Sequence, residues 1–276
     1  MKKFKWSTLY LALVFIFLYV PIFYLIFYSF NAGGTMNEFT GFTWDNYRSV
    51  FEDTRLIIIV LNTFMLAFLS AFIATLIGTF GAMGIYYAKK RRTRTALMSI
   101  NNILLVSPDV IIGASFLIFF TLVGFSLGFE SVLLAHIAFS IPIVVLMVLP
   151  KLQEMNDSMI DAARDLGATN LQVIKSIILP YLSPGIIAGY FMAFTYSLDD
   201  FAVTFFVTGN GFTTLSVEIY SRARQGISLE INALSALVFL FSLILVIGYY
   251  FISKDNRTKK TKKNRRTLRE GVARLR

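Results

Sequence analysis

Three carboxylates sit where carboxylates are costly. Asp109, Asp199 and Asp200 each lie within a long apolar run, and an acid at the centre of a membrane helix costs about 2.5–3.5 kcal/mol. Ionisable residues kept at that depth face a protein interior or a wet path, and by default they mark a functional site. No Lys or Arg lies in those runs to neutralise them. The acids are therefore protonated, bonded to polar neighbours or to a partner subunit, or open to a path for cations. Asp109 falls roughly 12 residues into its run, near the middle of one continuous helix. Pro108 before it removes a backbone donor and is a source of a kink. Asp199 lies some 15 residues past Pro184, about 22 Å at helical rise, which puts the pair in the outer half of its helix. Adjacent residues on a helix point about 100° apart. Asp199 and Asp200 are thus expected to differ in role, one turned to the pathway and the other to packing or a gate.

Little else in the chain can do chemistry. There is no Cys and a single His, His136, so neither a thiolate site nor a His-rich metal site is available. His136 reads as a polar residue hydrogen-bonded across helices rather than a proton relay, having no chain of titratable partners. No G-x-x-x-x-G-K-[ST], H-E-x-x-H or G-x-S-x-G occurs, which excludes a phosphate-cradling loop and the commoner hydrolase sites. The glycines Gly78, Gly81 and Gly84, and the pair Gly185 and Gly189, offer small faces for close helix packing. The chain is expected not to be an enzyme and to hold no cofactor or metal.

The elements that must carry these acids are membrane helices. Hydrophobic residues make up 56% of the 276 and charged residues only 15%, too apolar for a soluble chain. Six stretches are long enough to cross a bilayer as helices. They run near Thr8–Phe30, Leu56–Ala88, Leu97–Val123, Ser131–Leu149, Pro184–Val207 and Ile231–Ile252. The first is too long for the apolar region of a signal peptide and lacks a cleavage pattern. The fold class is all-α, a polytopic bundle of six transmembrane helices. Residues 1–255 form the membrane domain, and 256–276 form a basic tail expected to lie on anionic lipid rather than on nucleic acid.

Basic residues orient the bundle. Lys2, Lys3, Lys5, Lys89, Lys90, Arg91, Arg92, Arg94, Lys151, Arg164, Lys175 and the tail fall on one side. Arg48, Arg55, Arg222 and Arg224 fall on the other. Both termini are therefore expected in the cytoplasm. The outer connection Asn31–Arg55 carries GFTWDNYRSVF, which suits either an interfacial aromatic belt or a docking surface for an external partner.

One cytoplasmic segment, about 150–180, departs from the basic pattern. It holds Glu154, Asp157, Asp161 and Asp165 against Lys151, Arg164 and Lys175, a balance suited to a protein partner. Asn156, Asp157 and Ser158 are N-cap candidates. Met159, Ile160, Ala163 and Leu166 then recur at helical spacing, and Gly167 is placed for a left-handed stop. Thr169 and Gln172 form a capping box for a second short helix that runs to Pro180. Ala162 and Ala163 leave room for a partner to approach closely.

The run Asp161-Ala-Ala-Arg-Asp-Leu-Gly167, followed by Ile178-Leu179-Pro180, resembles the EAA loop of ABC-importer permeases, with Asp161 where the family pattern has Glu. Asn62–Arg91 is similar to the second helix of the six-helix type I importer core. Leu104–Phe120, Ser197–Gly209 and Glu230–Val238 resemble more narrowly the permeases of spermidine/putrescine importers. The resemblance implies a type I ABC importer permease fold in a bacterial plasma membrane. It implies that Asp161, Ala162, Ala163, Leu166 and Gly167 form a coupling surface for an ATPase. It also implies three kinds of partner: two ATPase copies that hold ATP and Mg, a second related permease, and an extracytoplasmic polyamine-binding protein. Asp109, Asp199 and Asp200 then become candidates for the path of a polyamine. A permease for another small solute and a proton-coupled transporter are the alternatives. The acids weigh against the former, and the absence of evident inverted repeats weighs against the latter.

Overall fold

The structure, a computed structural model, describes residues 6–226 and 228–244. Among these residues all regular structure is helical, apart from one isolated bridge between Asn31 and Phe42. The chain divides into two compact units, Met1–Asp53 with Arg222–Arg276, and Thr54–Ser221. The basic tail lies outside the described residues.

In the first unit, α1 (Trp6–Tyr28) is an apolar helix with Pro21 inside it. The loop after it is organised by Asn31. Its Nδ2 donates to the carbonyls of Thr35 and Glu38 at 2.7 and 2.8 Å, and its Oδ1 accepts from the Thr40 amide at 2.9 Å. The rings of Phe30 and Phe42 stack 5.2 Å apart with Trp44 edge-on, just before the short α2 (Asp45–Glu52).

The second unit is built on three long helices: α3 (Thr54–Tyr86), α6 (Phe129–Glu154) and α9 (Leu179–Asp199). Their contact is close because small residues face it. A Cβ added at Gly78 on α3 would lie 2.7 Å from the Cβ of Val144 on α6. One added at Gly189 on α9 would lie 3.3 Å from the Val144 Cα. Val144 is thus gripped from two sides by residues without side chains, and it is fully buried. Gly84 meets nothing within 4 Å, so the small face expected of the three α3 glycines does not extend that far.

Between these helices lie α4 (Arg91–Val106), α5 (Asp109–Val123), α7 (Ser158–Asp165) and α8 (Asn170–Val173), and α10 (Ala202–Val207) comes after α9. They are followed by α11 (Leu215–Gln225), and α12 (Leu229–Ile244) is the last helix described.

Among the described residues, four helices are long and apolar enough to cross a membrane, or five when α4 and α5, bent by 106°, are taken as one span. Residues 245–252 of the sixth expected span lie outside those described. The fifth span begins and ends earlier than expected. Pro180 does not stop the second hairpin helix, and the helical path runs from Asn170 to Asp199. The reason is a π-turn at Ile174–Ile178 just before Pro180. Pro180 has no amide to donate, and it stands in the first turn of α9, where none is needed.

Candidate functional site

Both remaining anomalies in the helical core are breaks, and the acids sit at them. Ser107, ahead of Pro108, takes an extended backbone (φ −71, ψ 138), as residues before proline are pushed to do. Pro108 is the N-cap of α5, and Asp109 opens that helix. Asp109 is therefore not midway along one continuous helix as expected; it heads a new one. The N-terminus of a helix favours a carboxylate, which answers in part the lack of Lys and Arg. Its Oδ1 also accepts the hydroxyl of Tyr196 on α9 at 2.7 Å.

The second break separates α9 from α10. Asp199 is the last residue of α9, and Asp200 leaves the helix at φ −60, ψ 124. The expectation of one helix through Val207, with the two acids about 100° apart, is corrected accordingly. Asp200 turns inward. Its carboxylate accepts the amides of Val203 and Thr204 at 3.3 and 2.8 Å, and the Thr204 hydroxyl at 2.8 Å. It thereby caps the first turn of α10. The Asp200 side chain is only 5% exposed, whereas Asp199 and Asp109 are exposed.

The two breaks are brought together by Gly113, one turn into α5. A Cβ there would meet the Ala202 carbonyl and the Val203 Cα, both at 3.0 Å. This approach lets α5 and α10 start side by side. Tyr196 and Gly113 were not singled out from the sequence. The signal available for Tyr196 was its place one turn before Asp199; Gly113 had none beyond its type.

Behind the break lies a buried polar chain. His136 of α6 meets the Ser197 hydroxyl through Nδ1 at 2.6 Å and the Thr204 hydroxyl through Nε2 at 2.9 Å. Ser197 in turn meets Ser70 of α3 at 2.9 Å. The reading of His136 as a cross-helix packing residue fits this geometry.

At the other end of the core, the turn between the two hairpin helices has the form its sequence suggests. Gly167 stands at φ +81, the left-handed region that suits glycine. Gln172 and Thr169 cap α8 reciprocally. Asp161, Ala162, Leu166 and Gly167 are exposed, and Ala163 is half-buried. Leu166, at 89% exposure, is a large apolar side chain with almost no cover from its own chain. Beside the hairpin, a cleft of about 510 Å³ is lined by Tyr87, Asp157, Asp161, Arg164 and Asn170 among others. Burial pushes the Tyr87 phenol above its ordinary range, and the Asp157 carboxylate acts the same way against the opposing charge of Arg164. It faces the cleft as a neutral hydroxyl.

The same helical core thus carries acids at two helix breaks and an exposed helical hairpin. The chain belongs to the family of binding-protein-dependent transport system inner membrane components, which matches residues 74–257. It is 34% identical to the spermidine/putrescine transport system permease protein PotC of Haemophilus influenzae, over 93% of this chain and 99% of that one. It is 32% identical to the putrescine transport system permease protein PotI of Escherichia coli, over 92% and 93%. In fold it is similar to a chain of a bacterial ABC transporter involved in the import of the acidic polysaccharide alginate. The TM-score is 0.70 at 18% identity, over 90% of this chain and 94% of that one. A chain of the inward-facing MetNI methionine ABC transporter matches with a TM-score of 0.58 at 23% identity, over 71% and 92%.

Proposed function

We propose that this chain is the membrane-spanning permease of an ATP-driven polyamine importer, passing spermidine or putrescine inward by alternating access. The relatives' names support the substrate class. The observation that carries the reading is the pairing of Asp109 with Tyr196 beside the exposed Asp199, at the two helix breaks. An ammonium group there can replace water with charge-assisted hydrogen bonds to carboxylates. Asp200 is the inward member of the set; it holds the break, while Asp109 and Asp199 meet the cation.

The hairpin surface of Asp161, Ala162, Ala163, Leu166 and Gly167 docks on an ATPase subunit, present in two copies, which binds ATP and Mg. A second related permease completes the path, and an extracytoplasmic polyamine-binding protein delivers the solute. Both termini lie in the cytoplasm of a bacterial plasma membrane. ATP drives the cycle because it binds the two facing states with different affinity, not merely because the hairpin touches the ATPase.

The test is Asp199→Asn in the assembled importer. Asn keeps shape and hydrogen bonding, so the change isolates charge. Uptake of spermidine should fall roughly 5- to 150-fold, the equivalent of about 1–3 kcal/mol. ATPase activity without substrate should stay near normal. Wild-type uptake by both Asp199→Asn and Asp109→Asn, across a range of spermidine concentrations, would sink the proposal.

A further inference from the structure

We propose that His136 is a positioning residue for Asp199, acting through the buried chain Ser70–Ser197–His136–Thr204–Asp200. The inference rests on the reading of Asp199 as a pathway carboxylate. Among the described residues no other side chain is hydrogen-bonded to Asp199, but its neighbours on both sides are held by side chains. Two residues before it, Ser197 is 1% exposed and bonded to His136 and Ser70. One residue after it, Asp200 is bonded to Thr204, which is bonded to His136. One imidazole thus fixes the backbone upstream and downstream of Asp199, and leaves Asp199 turned outward.

The direction of the hydrogen bonds makes this a rigid device. Thr204 has one hydroxyl proton, and it goes to the Asp200 carboxylate. Thr204 must then accept from Nε2–H of His136. With a neutral ring, Nδ1 accepts from Ser197, and Ser197 accepts from Ser70. With a charged ring, Nδ1–H donates to Ser197, Ser197 to Ser70, and Ser70 to the Ala67 carbonyl at 3.2 Å. Asp200 Oδ2 lies 3.5 Å from Nε2. Either state satisfies every member by turning two hydroxyls, with no heavy atom displaced. The chain therefore holds geometry and does not switch it.

The chain lacks Cys, which permits a direct readout. Asp199→Cys, in the assembled importer, is labelled with a charged thiol reagent, with and without His136→Phe. Phe keeps a ring and removes both hydrogen bonds. The labelling rate is expected to change roughly fivefold or more, as for coupled neighbours. In uptake assays His136→Phe should raise the half-saturating spermidine concentration by a similar factor. In the Asp199→Asn background it should add less than about twofold. Ser197→Ala should reproduce both effects more weakly, and it serves where His136→Phe fails to assemble. An unchanged labelling rate, or uptake effects that multiply, would overturn the proposal. A changed labelling rate alongside normal uptake by Asp199→Asn would uphold the positioning and refute the pathway role of Asp199 instead.

Discussion

Tyr196 and Asp109 are joined by a 2.7 Å hydrogen bond between two different broken spans. The phenol of α9 thereby tethers the first residue of α5. It leaves one carboxylate oxygen of Asp109 for another donor. Tyr196→Phe removes the tether and keeps the ring, which packs edge-on against Phe139 at 5.1 Å. A hydrogen bond to a charged carboxylate contributes about 1.5–3 kcal/mol. The half-saturating spermidine concentration should therefore rise roughly tenfold or more, with assembly intact. Uptake curves of the two proteins over one concentration series decide it.

Asp199 and Asp200 should separate by assay. Asp200→Ala leaves the α10 amides and the Thr204 hydroxyl without their acceptor, a loss of about 1–3 kcal/mol for buried groups. The complex should melt at lower temperature in detergent. Asp199→Ala should leave the melting temperature near that of the wild type and impair uptake instead. Equal melting temperatures for the two variants would contradict the structural difference between the acids.

Close packing at Val144 predicts an asymmetry among glycines. Gly78→Leu must displace α6, and overpacking of this kind costs about 1–3 kcal/mol. Gly84→Leu has open space. Yield of folded protein on size exclusion should drop for the first and hold for the second.

Gly167→Val forces a β-branched residue into a left-handed backbone. The strain is about 1–2 kcal/mol, and the two hairpin helices would lose their angle. The variant should insert normally but recover less ATPase on co-purification. Full recovery together with transport-linked hydrolysis would show that the hairpin tolerates another turn.

What the sequence disclosed was what local rules govern. Thr169 and Gln172 cap α8 across three residues, and Gly167 ends its helix by its own backbone, so both could be read directly. The acids were conspicuous because their surroundings are apolar. The break at Asp200 was hidden. Nothing local forbids a helix from Leu198 to Ala202; the turn is stabilised by His136 and Thr204, which lie far along the chain or one turn ahead. The α4–α5 break was half legible: Pro108 announced a bend but not its size of 106°. The meeting of the two breaks at Gly113 is a tertiary fact with no trace in periodicity.

The π-turn before Pro180 has a consequence for phase. Along α9 the buried residues Leu182, Gly185, Gly189, Ala193 and Ser197 follow steps of three and four, but Val173 and Ile178 are five apart. The turn is one extra residue wound into the rod, worth about 100° of rotation and 1.5 Å of length. Ser197 and the hairpin can therefore each present a correct face although no single α-helical register satisfies both. Deleting one residue between Ile174 and Ile178 would remove the extra residue and turn Leu171 out of step with Asp199, detuning the hairpin from the breaks without touching either.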